Sequence, residues 1–219
     1  MAVQILLRET EGVDFSQSTI TTREIDTRAN EIGVTAIATY AFEALNLKGT
    51  FVSACGAILD CGTEWPMFSA VARHAQVVDA PKANVRYGMS NVHYQSLGDE
   101  EGVVVVESRG LTCYRMGDNC GVLLWDYADK DELFPVKSNE AVKRDVVGAA
   151  MVRRELCVDG VERVVYRSIC TKIHTLPQDP SSSPALQRFV QNSRQGSKVC
   201  GAIVYNQILK GVTQTPITM

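Results

Sequence analysis

The residues able to do chemistry in this chain are few and scattered. His74, His93 and His174 are its three histidines. None sits in an HxxxH or comparable ligand pattern, so no metal site is predicted. His93 and His174 fall in strand-like runs, where a hydrogen-bonded structural role is the default and general acid–base work the alternative. The seven cysteines are Cys55, Cys61, Cys113, Cys120, Cys157, Cys170 and Cys200. Their number is odd, no CxxC pair occurs, and most lie in apolar stretches. They read as buried, reduced thiols packing as small hydrophobes, with scattered ligands or a nucleophile as the competing reading. A reducing, cytoplasmic setting follows as the expectation. No GxSxG elbow is present. Gly117 to Gly121 lacks both the pattern and the lysine of a phosphate-binding loop, and no cofactor is expected.

Arginines and aromatics carry more of the signal. Arg163 and Arg167 share one face of a strand-like run by period-2 alternation, and Val164, Tyr166, Ser168 and Cys170 share the other. Arg153, Arg154, Arg163, Arg167 and Lys172 form either a solvated outer face or a set from which one arginine enters a pocket and grips a polar ligand head. A lone buried charge is costly, so the second reading demands a carboxylate partner. Trp125-Asp126-Tyr127 is a pocket or packing patch. Trp65-Pro66-Met67-Phe68 is an apolar elbow, read as a packed corner, with a gate or membrane-touching tip as the alternative. The candidate pocket residues are Trp125, Tyr127, Tyr166, Arg167, Phe189, Ser193, Gly196 and Cys200.

Composition bounds what these residues can serve. At 219 residues the chain suffices for one large domain or two small ones. A formal net charge of −3 argues against a dedicated nucleic-acid binder, which normally shows a basic excess. No apolar run approaches the ~20 residues that span a bilayer. Met1 to Leu7 has no basic n-region or long apolar h-region, so no signal peptide is read.

The elements that must position these residues are mostly strands. Residues 1–33 are a lead-in, with short strands at Val3–Leu7 and Thr19–Asp26. Val34–Ala44 alternates β-branched and aromatic residues as a half-buried strand does, though its alanines leave a helix open. Asn46 to Gly49 breaks the run. A short helix near residues 49–61 follows, with Thr50 as its N-cap and Gly62 as its stop. Strands are expected at His74–Asp79 and Val85–Tyr94 around Ala80-Pro81-Lys82. After a turn at Gly98–Gly102, further strands run over Val103–Arg115 and Gly121–Asp126, separated by Gly117–Asn119. Lys130–Val142 is a charged loop. Two long runs, Asp145–Val158 and Val161–Thr175, flank Asp159-Gly160, a pair suited to a type I′ hairpin turn. Each would extend for about 45 Å, a length at which strands usually bend.

After a Pro/Ser loop at 177–184, Ser183 reads as an N-cap with Pro184 in the first helical position. One helix is predicted from there to about Lys210, roughly 40 Å long. Its apolar face carries Leu186, Phe189, Val190, Val199, Cys200, Ile203 and Leu209. Ser193 and Gly196 stand where bulky residues would be expected, leaving space over a cavity or allowing close packing. There is no βαβ rhythm, so the class is α+β, a bent antiparallel sheet closed by one long helix. Residues 211–219 are a tail.

The order strand, short helix, antiparallel strands, long C-terminal helix resembles the helix-grip fold of the START and Bet v 1 superfamily. The phrases CGAILDCGTEWPMF (55–68), ARHAQVVDAP (72–81), CGVLLWDYADKDELFP (120–135), KRDVVGAAMVRRE (143–155) and DGVERVVYRSICTKIHTLP (159–177) look like the START-like domain proteins expanded in oomycetes. The similarity covers residues 34–210 and contains no catalytic signature. Relatives in that group often carry zinc-binding FYVE fingers, whose paired-cysteine spacing is lacking here. The resemblance implies a deep apolar pocket between sheet and C-terminal helix. Its occupant would be a lipid or other hydrophobic small molecule, often carried between membranes through transient membrane contact. No ligand and no ligand-contacting residue transfers position by position. Three readings follow. The first is a non-enzymatic carrier or sensor. The second is an enzyme of the polyketide-cyclase or hydrolase type, drawing on His93, His174, Tyr166 and Asp126. The third is a protein-interaction scaffold whose cavity has filled with side chains.

Overall fold

Alternating β-branched and aromatic residues build, among the described residues, nine strands that join into one sheet. The computed structural model describes residues 2–11, 18–43, 46–60, 64–80, 84–97, 102–128, 131–133, 135, 140–177 and 183–214. In chain order the elements are α1 (Ala2–Glu9), β1 (Thr19–Ile25), β2 (Glu31–Phe42), α2 (Leu47–Asp60), β3 (Glu64–Trp65), β4 (Phe68–Ala80), β5 (Val85–Ser96), β6 (Val103–Met116), β7 (Cys120–Tyr127), β8 (Val142–Leu156), β9 (Glu162–Thr175), α3 (Pro184–Gln191) and α4 (Ser193–Gln214). The sheet order is β1-β2-β9-β8-β7-β6-β5-β4-β3, antiparallel between neighbours. Where the shorter β7 ends, the start of β8 pairs directly with β6 in parallel, setting Arg144 beside Ser108. The expected α+β architecture, an antiparallel sheet gripped by C-terminal helix, is the one observed.

One sheet face holds the main core. Tyr40, Phe42, Val152, Val164 and Tyr166 pack there against Phe51 and Ala54 of α2 and Val204 and Ile208 of α4. A second cluster gathers Trp65, Phe68, Tyr94 and Val106 around Leu186 and Phe189 of α3. The opposite face is covered in part by α1, whose Leu6 is fully buried with Ala149 and Met151.

Local details depart from the sequence reading in four places. Val3–Leu7 is helical, because Val3, Leu6 and Leu7 form one i, i+3, i+4 stripe that buries Leu6. In a run so short, periodicity alone does not separate helix from strand. The N-cap of α2 is Asn46, whose Oδ1 accepts from the Gly49 N–H at 2.9 Å, while Thr50 lies buried within the first turn and donates to the Asn46 carbonyl. The Asp159-Gly160 hairpin is not type I′. Gly160 alone has positive φ, +78°, and its N–H bonds the Cys157 carbonyl at 2.9 Å, so Val158 and Asp159 are the centre of the turn and glycine supplies the left-handed step after it. The single C-terminal helix is two. Ser183 caps α3 by accepting from the Leu186 N–H as expected, but Asn192 breaks the run. Its side-chain amide and backbone N–H both donate to the Arg188 carbonyl, at 2.8 and 3.2 Å. Gly62, Pro81-Lys82, Gly98–Glu101, the loop residues 178–182 and the tail from 215 lie outside the described residues.

Candidate functional site

Register places small side chains in the middle of the core face. Paired residues share a face, so Ala36, Cys170 and Gly148 form one row across β2, β9 and β8, and Ala38, Ser168 and Ala150 form the next. Above them α4 presents Ser197, Cys200 and Gly201, again small. Large side chains bound this band at both ends. At one end Tyr40 stacks on Tyr166 at 5.4 Å, and the Tyr40 hydroxyl donates to the Gly201 carbonyl at 2.8 Å. Burial, then Tyr205, raises the Tyr40 pKa and keeps its hydroxyl protonated as a donor. At the other end Trp65 stacks on Phe189 with centroids 4.4 Å apart and meets His174 edge-on at 5.5 Å. From this band a cavity of about 410 Å³ opens across β5 and β6, whose Met89, Val92, Ser108 and Leu111 also line it. Trp125 lies over Gly148, where a Cβ would come within 2.6 Å of the indole, so only glycine admits the ring here.

The candidate residues divide by position. Trp125, Tyr166 and Cys200 line this cavity. Phe189, Ser193 and Gly196 are buried beneath or beside it without lining it, and a Cβ on Gly196 would meet the Trp65 ring at 2.5 Å. Tyr127 is half-buried beyond the rim, with the Lys143 ammonium 5.9 Å from its ring centre. Arg167 is on the opposite sheet face. It binds Glu155 through two hydrogen bonds, at 2.9 and 2.6 Å, and donates to the Thr10 carbonyl at 2.6 Å at the end of α1. It therefore ties the N-terminal helix to the sheet. Burial pushes the Glu155 carboxyl upward, but hydrogen bonds and charge from Arg167 and Arg153 outweigh it and hold the group below the usual carboxylate range. Replacing Arg167 by Met should cost about 3 kcal/mol by stranding the buried Glu155, and the double variant Arg167→Met/Glu155→Leu should recover most of it. Urea titration of the three proteins measures this.

Of the residues an enzyme would draw on, Tyr166 and Asp126 line the cavity, Asp126 at its exposed rim. His93 instead faces His74, ring centres 6.1 Å apart. His174 is fully buried and accepts from Arg144 Nε at 3.0 Å through Nε2. No group of three or more His, Cys, Asp or Glu side chains suited to a metal ion occurs among the described residues.

Sequence reasoning missed Arg144, the floor alanines and Ser197, and it misplaced Lys172. Lys172 was grouped with an outer charged face, yet its even spacing from Tyr166, Ser168 and Cys170 puts it on the cavity face, where it is buried. That parity was legible. Arg144 could not be placed without knowing that β8 pairs its first residues with β6.

Burial first, then the charges of Arg144 and Lys172, hold the His174 pKa well below its ordinary value. The unfolded chain takes up this proton near pH 6.5 and the folded chain does not. Stability from His174 is therefore complete above about pH 6.5 and falls as the pH drops below it, by up to about 1.4 kcal/mol per pH unit. His174→Gln should flatten that slope between about pH 6.5 and pH 5 in urea titrations.

No family model and no curated protein matches the chain. Solved structures do. Human STARD10 superposes with a TM-score of 0.51 at 10% identity, over 94% of this chain and 78% of that one. The human StarD13 (DLC2) lipid transfer and protein localization domain gives 0.45 at 14% identity, over 97% of each chain. SA2116 of Staphylococcus aureus, a protein of unknown function, gives 0.35 at 11% identity, over 91% of this chain and 99% of that one. At 10% identity the likeness to STARD10 is one of architecture, and with the sheet and closing helix described above it shows a START-like helix-grip fold for this chain.

Proposed function

We propose that this protein binds one hydrophobic or amphipathic small molecule, a lipid, in the cavity between the sheet and α4, as a non-enzymatic cytoplasmic carrier or sensor that touches membranes transiently. The observation that carries this reading is the band of Ala36, Ala38, Ser168 and Cys170 facing Ser197, Cys200 and Gly201, which lines an opening of about 410 Å³. Larger aliphatic side chains at these positions would fill the space, so small residues on three separate elements, β2, β9 and α4, suit an occupant from outside the chain. The volume lies within the range of about 300–1,000 Å³ in which proteins hold single small molecules. The likeness to human STARD10 supports the same architecture. Tyr166 sits in an aromatic stack and Asp126 on the exposed rim, so the cavity reads as a container rather than a reaction site. Residues 34–210 are the ligand-holding unit in this reading, with Ile20 of β1 adding to the lining.

Native mass spectrometry of the chain after exposure to a lipid-rich lysate tests the proposal. One bound molecule per chain is expected. A chain that stays ligand-free across sterols, fatty acids and phospholipids would overturn it.

A further inference from the structure

The cavity lining is rich in cations. Its described lining carries Arg73, Arg86, Arg109, Arg144 and Lys172 against one carboxylate, Asp126. Arg86 and Arg109 have counter-charges among the described residues. Arg86 pairs with Asp79 at 2.6 Å, and Arg109 with Glu107 at 3.2 Å and Asp131 at 3.7 Å. Arg144 is different. It is 7% exposed, and among the described residues no carboxylate pairs with it. Its Nε donates to neutral His174, its guanidinium lies 5.2 Å from the Trp65 ring centre and 5.9 Å from that of Tyr94, and its Nη2 has no hydrogen-bond partner. A guanidinium cannot shed its proton. A buried, permanently charged group with an unused donor is costly unless an anion completes it.

Two further groups stand at the same end. Lys172, 5% exposed, is one step along the strand face from His174, the residue paired with Arg144. Ser197 follows Gly196, which rests on the Trp65 ring. Ser197 is 2% exposed and lines the cavity, and its hydroxyl has no partner among the described residues.

Resting on the ligand-binding reading above, we infer that Arg144, Lys172 and Ser197 form the head-group site of this cavity. Its ligand is then an amphiphile with a compact anionic head, a carboxylate or a phosphate monoester, and an apolar chain. The head takes the free Nη2 of Arg144, and the chain lies along Ala36, Ala38, Ser168 and Cys170 toward Tyr40 and Val204. A planar guanidinium with open donors suits either oxyanion.

Isothermal titration of the delipidated full chain with four probes tests this: oleate, oleoyl lysophosphatidate, oleyl alcohol and inorganic phosphate. At least one anionic amphiphile should bind about tenfold or more tighter than oleyl alcohol. Arg144→Gln should remove that preference and leave oleyl alcohol binding in place. Equal affinity for oleyl alcohol and both acids in the unaltered chain overturns the inference and leaves the ligand-binding reading standing, whether or not the variant folds. Inorganic phosphate binding as tightly as the lipids would show an ion site without an amphiphile, and overturns it too. If none of the chain-bearing probes binds, the inference falls, and the ligand-binding reading is decided separately by the native mass spectrometry described above. Where Arg144→Gln does not fold, Ser197→Val and Lys172→Met take its place, and a preference unchanged in both overturns the assignment of the head site.

Discussion

A chain ending at Ser182 should not fold cooperatively. The removed segment holds Leu186 and Phe189 of α3 and Val204 and Ile208 of α4, all buried. Burying side chains of this size contributes about 1.5–3 kcal/mol each, so the four together amount to roughly 6–12 kcal/mol. A domain's whole margin is about 5–15 kcal/mol. The loss is larger than the four side chains, because the sheet face beneath them also returns to water. Tyr40 would lose the Gly201 carbonyl that accepts its hydroxyl, and Trp65 would lose both Phe189 and the carbonyl accepting its indole N–H at 3.3 Å. The expected product is insoluble, or compact with strand-like far-ultraviolet dichroism and no fixed aromatic signal. A sigmoidal urea transition at the full-length midpoint would show that α3 and α4 do not close the core, and the cavity reading would go with it.

Trp65→Ala should be among the most damaging single substitutions. Strand β3 is only Glu64–Trp65, and Trp65 joins Phe68 and Tyr94 in packing the outer edge of the sheet against Phe189 of α3. The indole stacks on Phe189, meets His174 edge-on, supports the guanidinium of Arg144 and fits against Gly196. Truncating a buried Trp costs about 3–5 kcal/mol. Restoring a larger residue at Gly196 would not compensate, because the void is shaped by four elements at once. Met67, two residues on, is 53% exposed. Met67→Ala should change stability by no more than about 0.5 kcal/mol. Urea midpoints for the pair, with slopes unchanged, decide the matter. A loss below about 1 kcal/mol at Trp65 would mean that the edge is held elsewhere. The same comparison separates the elbow's two sequence readings: Trp65 and Phe68 are a packed corner, and Met67 alone is its exposed tip.

The class of this fold follows from patterns that are local in sequence. Antiparallel strands without crossover helices, a hairpin around Asp159-Gly160 and a helix begun by Ser183-Pro184 each follow from backbone preferences that the chain carries wherever it goes. Side-chain parity is equally local. It put Tyr166, Ser168 and Cys170 on one strand face, and followed two residues further it would have put Lys172 and His174 there as well. Short-range ambiguity explains the misses at α1 and Asn46, where a few apolar or polar residues satisfy two patterns equally. The cavity is another matter. Ala36, Gly148 and Cys170 lie far apart along the chain and become neighbours only through the registers of β2, β9 and β8. An alanine in a strand says nothing about whether a tyrosine or another alanine stands opposite. Arg167 and Arg144 make the same point in opposite directions. Both are buried arginines of the long hairpin strands, yet one faces Glu155 and α1 and the other faces the cavity with a donor unused. Parity fixes which face of a strand a charge takes, but only the packed sheet and its covering helices decide whether that face meets a carboxylate, the solvent or a space left for a ligand.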